Sequence, residues 1–240
     1  MDSRTDMYRA YDKIVELVAN GELRPGERTS VIALAERLNI GRSPVKEAIT
    51  RLRTEGLLVV KGRSGTSVSD FGEEKVRQLF GIRRLLEGYA AEQAVSLATP
   101  EDITRLAAAL KSMRRATKLG QAGLTEFINA DVAFHTAFIK SAKNAVLETL
   151  YSSIKMHLQI VIYLHYGGRR KSAARIEEHE AILEMLEKRN LKGLQKVLRD
   201  HSSGVEQAIV DVVTRGRARV GGSTQGVTTS VLSGSTDMSV

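Results

Sequence analysis

Apolar residues recur at helical spacing along most of the chain, and the first stripe lies near the N-terminus. Between Met7 and Ala19 they stand at positions i, i+3, i+4 and i+7, which predicts an amphipathic helix. A second helix is predicted from about Ser30, which is a good N-cap residue. A third opens at Ser43 and Pro44, where we expect Ser43 to cap the helix and Pro44 to take its first position.

Two short apolar runs follow the third helix and surround a basic turn. Leu57–Val60 and Gly65–Val68 are predicted to be strands, with Lys61-Gly62-Arg63-Ser64 between them as a wing tip. Two helices joined by a tight turn and followed by a hairpin are typical of a winged helix-turn-helix. The third helix must pack its apolar face inward, so we expect Arg42, Lys46 and Thr50 to point outward.

From residue 73 onward the pattern is almost wholly helical. We predict about six helices, at 73–98, 100–119, 123–142, 144–166, 172–189 and 191–213. The predicted fold is therefore mainly α: a winged helix-turn-helix domain over 1–70 and an all-α bundle over 73–213. The Gly-, Ser- and Thr-rich residues 215–240 lack periodicity and are expected to be a disordered tail.

Composition narrows the class of protein. The chain carries a net charge of +8, which suggests a nucleic-acid partner. The charge is concentrated in residues 42–63, where six basic residues face two acidic ones. Without cysteine the chain cannot form disulfides or a thiolate metal site. No apolar run approaches the ~20 residues of a membrane span, and we expect a cytoplasmic protein without membrane contact.

The candidate chemistry lies in the second domain. Asp131 and His135 are four residues apart, so they share one helix face, while His179 and His201 fall on two other predicted helices. Helices of a bundle can bring such side chains to one point, and a carboxylate with three imidazoles suits Zn, Ni or Mn. The alternative is that each is an ordinary buried residue, because His157 and His165 also lie on a helix.

The N-terminal segment resembles the DNA-binding domain of the GntR superfamily. The resemblance is carried by the Pro25-Gly26 turn and by three further motifs, Arg42-Ser43-Pro44-Val45-Lys46-Glu47-Ala48-Ile49, Glu55-Gly56-Leu57-Leu58 and Gly65-Thr66-Ser67-Val68. It implies operator DNA as the partner, with contacts from Arg42, Ser43, Lys46, Thr50, Arg63 and Gly65. Gly41 stands where the family usually has Ser or Thr, and Lys46 where it usually has Arg.

The second domain resembles the FCD ligand-binding domain of the FadR branch of that superfamily. The motifs are Arg83-Arg84-Leu85-Leu86-Glu87, Asp131-x-x-Phe134-His135, Ser141-Ala142-x-Asn144, Glu178-His179-x-x-Ile182 and His201. The resemblance implies that Asp131, His135, His179 and His201 hold a divalent metal, which helps to bind a small organic acid. Arg83 matches an arginine that the family often points into that cavity. Six helices rather than seven resemble the VanR-like subgroup.

These observations favour a homodimeric transcription regulator that responds to an effector. One alternative is a metal-dependent hydrolase with an accessory DNA-binding segment, since three imidazoles and a carboxylate could activate water. Against it, no residue has the motif-level spacing of a general base; Glu178 and Glu180 flank His179 but should face elsewhere. A second alternative is an architectural DNA binder without metal.

Overall fold

The computed structural model describes residues 3–19, 22–60, 65–69, 71–166 and 172–221. Along the chain its elements are α1 (Ser3–Ala19), β1 (Arg28–Thr29), α2 (Val31–Leu38), α3 (Arg42–Thr54), β2 (Leu58–Val60), β3 (Thr66–Val68), α4 (Glu73–Leu97), α5 (Pro100–Lys118), a 3₁₀ turn (Gly120–Gly123), α6 (Leu124–Ser141), α7 (Ala145–Tyr166), α8 (Ser172–Glu187) and α9 (Leu191–Gly221). The mainly α fold predicted from sequence is confirmed. No helix among the described residues is long and apolar enough to cross a membrane.

The N-terminal elements form a winged helix-turn-helix. Ser30 caps α2 as predicted, because its hydroxyl accepts a hydrogen bond from the Ala33 N–H at 3.1 Å. Asn39 ends α2 in the left-handed conformation with φ of 52° and turns the chain toward α3. The three strands pair antiparallel in the order β1-β3-β2, and β1 was not predicted. The wing tip, residues 61–64, lies outside the described residues.

The start of α3 differs from the prediction. The helix begins at Arg42, its N-cap is Gly41, and no side chain caps it. The Gly41 carbonyl already accepts from the Val45 N–H at 3.3 Å, which draws Ser43 and Pro44 inside the first turn. The prediction that Ser43 caps this helix and Pro44 opens it was therefore wrong. Glycine at the N-cap position leaves the first N–H groups of α3 without a side-chain cap.

The second domain contains six α-helices within residues 73–221, and their bounds agree with the predicted ones to within two residues except at the C-terminal end. The Thr99 and Asp102 side chains form a capping box at the start of α5, with Pro100 at its first turn. The last helix, α9, continues to Gly221, so residues 215–221 are helical rather than part of the predicted tail. Residues 222–240 lie outside the described part of the chain.

The long helix α4 lies at the centre of the bundle and packs against α6, α7, α8 and α9. Most of its buried residues are apolar, as a core helix requires, but Arg83 and Glu87 are also buried, each 1% exposed. Phe134 and Phe138 on α6 are fully buried beside them. A core helix that buries an ion pair places charge where apolar packing would otherwise be expected, and this is where the candidate site lies.

The two domains meet at the C-terminal end of α3. The Tyr11 hydroxyl on α1 donates to Glu55 Oε2 at 2.5 Å and lies 3.8 Å from the sulfur of Met156 on α7. The neighbouring His157 packs its ring edge against Phe71, with ring centroids 6.0 Å apart. Burial lowers the pKa of His157, so its ring is neutral at this junction. The His157 ring also interacts with the backbone of Glu55, the C-cap residue of α3, so α7 lies against the C-terminal end of that helix.

Candidate metal centre and DNA-binding face

Four of the residues singled out in the sequence meet inside the bundle. Asp131 and His135 come from α6, His179 from α8 and His201 from α9, and each is at most 4% exposed. One potential ligand atom from each residue lies within 4.8 Å of the others. Two ligands of one divalent ion, each bonded at ~2.0–2.2 Å, stand at most ~4.4 Å apart, so the spacing of these atoms is close to the spacing that a single ion requires.

The contacts within the cluster converge on His179. Its Nε2 lies 3.1 Å from Asp131 Oδ1 and 3.2 Å from His135 Nε2. The His201 ring lies 4.6 Å from the His179 ring, centroid to centroid, yet its Nε2 is buried and has no hydrogen-bond partner. A buried nitrogen left without a partner is costly in a folded protein and is satisfied when a ligand binds it.

The other ring nitrogen of each histidine faces an acceptor. His179 Nδ1 lies 2.6 Å from the Arg175 carbonyl oxygen, and His201 Nδ1 lies 2.7 Å from Glu178 Oε2. His135 Nδ1 lies 3.0 Å from Glu87 Oε1, although it does not form a regular hydrogen bond. An acceptor at Nδ1 favours the proton there and leaves Nε2 with its lone pair, as at His201, and such outer partners orient the ligands of metal sites.

Arg83 and Glu87 border the cluster from α4. Arg83 Nε donates to Glu87 Oε1 at 2.8 Å, and Arg83 Nη2 donates to His135 Nε2 at 2.6 Å. Burial alone would raise the pKa of Glu87, but the Arg83 charge, with His135, holds it at about 2. The Tyr151 hydroxyl on α7 contacts the same carboxylate, and the pKa of Tyr151 rises, chiefly through burial. The Arg83–Glu87 ion pair is thus part of the core and not a surface bridge.

The electrostatics favour an ionised carboxylate and neutral imidazoles. Burial would raise the pKa of Asp131, but the hydrogen bond from His179 and the neighbouring positive charge hold it well below its usual range. Burial lowers the pKa of His135 and lowers that of His201 strongly. An ionised carboxylate and neutral imidazoles are the protonation states that bind a borderline divalent ion, so the shifts at Asp131, His135 and His201, with the orphaned His201 Nε2, make the site fit such an ion.

Among the described histidine side chains, only that of His157 lies outside this cluster. His157 lies at the domain junction, and the side chain of His165 is outside the described residues. The outer partners Arg175, Glu178 and Tyr151 were not predicted from the sequence. The spacing of Glu178 beside His179 carried no such signal, because Glu178 reaches across to His201 on another helix.

The face of α3 opposite its buried residues is exposed. Arg42, Ser43, Lys46 and Thr50 are all exposed there, as expected for side chains that could reach DNA. The Thr50 hydroxyl donates to the Lys46 carbonyl at 2.9 Å, so it is engaged within the helix. Arg63 lies outside the described residues. Gly65 precedes β3 with φ of +80°, a conformation that favours glycine.

Another arginine of α3, Arg51, is also exposed but has partners within the domain. Its guanidinium lies 4.7 Å from the centre of the Tyr11 ring, and its Nε donates to Glu55 Oε1 at 2.9 Å. Arg51 thus ties α3 to α1.

Comparison with known proteins supports this architecture. Residues 7–68 match the gntR family of bacterial regulatory proteins, and residues 78–204 match the FCD domain. The regulator LutR of Bacillus subtilis is 31% identical over 80% of this chain and 96% of its own. The uncharacterized regulator YdhC of the same species is 28% identical over 84% of this chain and 90% of its own. The E. coli McbR/YncC structure superposes with a TM-score of 0.73 at 22% identity, covering 88% of this chain and 98% of that one.

A winged helix-turn-helix joined to a helical bundle of this kind defines a DNA-binding transcription regulator. The matched families and relatives are regulators and not enzymes, so they do not support the hydrolase alternative. The chain belongs to the GntR family of bacterial regulatory proteins and carries an FCD domain.

The buried ion pair generates a stability prediction. Glu87→Ala leaves the Arg83 guanidinium buried without its carboxylate, so we expect a loss of about 3–5 kcal/mol in the unfolding free energy of the metal-free protein. Glu92→Ala changes an exposed residue of the same helix and should stay within about 0.5 kcal/mol of the wild type. Urea denaturation followed by circular dichroism measures both. A loss below about 1 kcal/mol for Glu87→Ala would show that water or a rearranged neighbour satisfies Arg83.

Proposed function

We propose that the protein is an effector-responsive transcription regulator whose second domain binds a divalent metal and a small carboxylate. The observation that carries the proposal is the set of four buried donors, in which Nε2 of His201 has no hydrogen-bond partner. The same chain carries a DNA-binding domain. Zn, Ni and Mn all suit a carboxylate with three imidazoles. In this proposal the ion is part of a sensor, because the matched relatives are regulators.

The residues that would hold the ion are Asp131, His135, His179 and His201. With four protein ligands, a five- or six-coordinate ion keeps positions for an outside oxygen, and its charge would attract a carboxylate. Arg83 is our candidate for the second carboxylate contact. Its guanidinium now donates to His135 Nε2, and that lone pair can serve Arg83 or a cation but not both. Cation binding would therefore release Arg83 N–H groups toward an anionic ligand.

Helix α7 gives the sensor a short physical connection to the DNA-binding domain. Tyr151 near one end contacts Glu87 beside the cluster, and Met156 and His157, less than two turns further on, lie at the junction with α1 and α3. A ligand that favours one position of α7 would bias the placement of the recognition helix. Only unequal affinity for the two arrangements can produce that bias.

The proposal includes a homodimer in the cytoplasm that reads a pseudo-palindromic operator. An exposed apolar stripe on α4 supports dimerisation, because Ile82, Leu85 and Tyr89 stand at i, i+3 and i+7 and are 46%, 69% and 45% exposed. In each subunit, Arg42 and Lys46 would meet base edges and Arg63 would lie near the minor groove. Six α-helices within residues 73–221 are consistent with the VanR-like subgroup.

Metal binding is tested by thermal unfolding of chelator-treated protein. Adding Zn²⁺, Ni²⁺ or Mn²⁺ at about one hundred times Kd should stabilise the wild type by about 2.7 kcal/mol, which raises Tm by several degrees. His179→Ala should lose this shift, whereas His157→Ala, which changes a buried histidine outside the cluster, should retain it. Glu178→Gln should weaken binding by roughly 10–100-fold. Equal shifts in both histidine variants would contradict the assignment.

Effector binding is tested by screening small carboxylates against the metal-loaded protein. We expect at least one acid to raise Tm further, with the additional shift lost in Arg83→Gln and in His179→Ala. The reason is that the ligand would use both the ion and the guanidinium. The matched control is Arg114→Gln, an exposed arginine that pairs with Glu180 on the surface. An acid whose effect survives both site variants binds somewhere else.

DNA recognition is tested on duplexes enriched from a random pool by the wild-type protein. Arg42→Ala should weaken binding to the selected sequence by about 1–3 kcal/mol, because it removes a base contact. Lys111→Ala changes an exposed basic residue of α5 and should leave affinity unchanged. Fluorescence anisotropy at fixed salt gives both affinities. Equal weakening on selected and random duplexes would assign Arg42 to a phosphate contact instead.

A further inference from the structure

We propose that Glu47 is a specificity-determining residue of the DNA-binding domain, and that its carboxylate accepts a hydrogen bond from the amino group of a cytosine in the operator. The inference rests on the proposed role of α3 as the helix that reads base edges. It adds to Arg42 and Lys46 a contact residue of opposite charge. This role is independent of the metal centre.

Glu47 lies at the middle of the exposed face of α3. The buried face of this helix consists of Val45, Ala48, Ile49 and Leu52. At ~100° per residue, Glu47 lies within about 30° of the direction opposite the centre of that face. Ser43 precedes it by one turn and Thr50 follows it by one turn, and all three residues are exposed. Glu47 also belongs to the N-terminal half of α3, and residues near the N-terminus of a recognition helix reach the base edges.

The Glu47 carboxylate has no hydrogen bond or ion pair within the part of the chain that the structure describes. Its natural partner on the helix is Arg51, because a glutamate four residues before an arginine forms a favourable pair. Arg51 instead donates to Glu55 Oε1 at 2.9 Å and lies over the Tyr11 ring. The carboxylate is therefore available to a donor from outside the domain.

The neighbours of Glu47 on this face do not supply that donor. The Thr50 hydroxyl donates to the Lys46 carbonyl at 2.9 Å, and the Thr54 hydroxyl donates to the Thr50 carbonyl at 3.1 Å. Lys46 precedes Glu47 in the sequence and is exposed, and the two side chains do not form an ion pair. The exposed face of α3 thus presents a charged donor and a charged acceptor side by side.

The chemistry of the major groove decides which base suits the acceptor. A carboxylate accepts hydrogen bonds and donates none, so it requires a base that presents a donor. Guanine presents two acceptors, thymine presents an acceptor and a methyl group, and adenine presents its amino group beside the N7 acceptor, whereas cytosine presents an amino group alone. Because DNA phosphates repel a carboxylate, Glu47 weakens binding wherever this donor is missing. We expect roughly a tenfold preference for cytosine at one position of each half-site.

The test compares the sequences that full-length wild-type protein and its variants enrich from a random DNA pool at one salt concentration. Glu47→Gln should change the preferred base at that position from cytosine to adenine, because a glutamine amide pairs with adenine N6 and N7. Glu47→Ala should lose the preference there. Glu16→Gln removes the same charge from an exposed residue of α1 and should keep every wild-type preference.

Two outcomes overturn the role of Glu47. The first is an unchanged set of base preferences in Glu47→Gln, and the second is an equal gain of affinity on all duplexes, because the carboxylate would then act only through its repulsion of phosphates. Arg42→Ala separates this failure from failure of the proposed function. If Arg42→Ala alters a base preference and Glu47→Gln does not, α3 still reads DNA and only the role of Glu47 fails. If neither variant alters one, both fail.

A change in the DNA tests the same contact with the wild-type protein. The selected cytosine is replaced by a pyrimidinone that lacks the amino group, and fluorescence anisotropy gives the Kd of each duplex. Wild-type protein should bind the modified duplex roughly tenfold more weakly, whereas Glu47→Ala should bind both duplexes equally. An undiminished affinity of the wild type overturns the contact even where a variant fails to fold, and an equal loss in both proteins overturns it as well.

Discussion

The interaction on which the site depends is the pairing of each imidazole Nδ1 with an acceptor of the second domain. The acceptors are the Arg175 carbonyl oxygen for His179, the Glu178 carboxylate for His201 and the Glu87 carboxylate for His135. They orient the three rings so that each Nε2 turns inward. Without these partners the rings could rotate or tautomerise. The arrangement keeps one carboxylate and three lone pairs together inside an apolar core, which is stable only while something positive lies among them.

Two positive groups can meet that requirement. The first is the guanidinium of Arg83, which donates to His135 Nε2. The Glu87 carboxylate balances the charge of this guanidinium. A divalent ion would take over the same lone pair and leave Arg83 free to donate elsewhere. The buried pair on α4 thus links metal occupancy to the donors offered to a ligand. Because α4 packs against α6, α7, α8 and α9, a shift of the Arg83 side chain changes the packing against the helices that carry the site.

Much of this architecture could be predicted from sequence, because it follows from local patterns of residues. The bounds of the helices follow from apolar periodicity and caps such as Thr99, and the four donors follow from the family motifs. The start of α3 was predicted wrongly because Ser43 and Pro44 are residues typical of a helix start. In the structure the Gly41 carbonyl accepts the first helical hydrogen bond, so the helix begins earlier. The outer partners were missed for a different reason. Glu178 on α8 contacts His201 on α9, and only the packing of the two helices brings such residues together.

The burial of the Arg83–Glu87 pair is a feature that local sequence patterns do not predict. Spacing of i and i+4 predicts that the two side chains can meet, and it is equally compatible with a solvated surface pair that contributes less than about 1 kcal/mol. Burial changes the meaning of the pair, because a guanidinium that is 1% exposed must keep a partner in every state of the protein. Any ligand that draws Arg83 toward itself therefore also acts on Glu87, and through Tyr151 on α7. Since α7 also carries the residues that touch Tyr11 and Phe71 at the junction, a single helix contacts both the buried ion pair and the N-terminal domain.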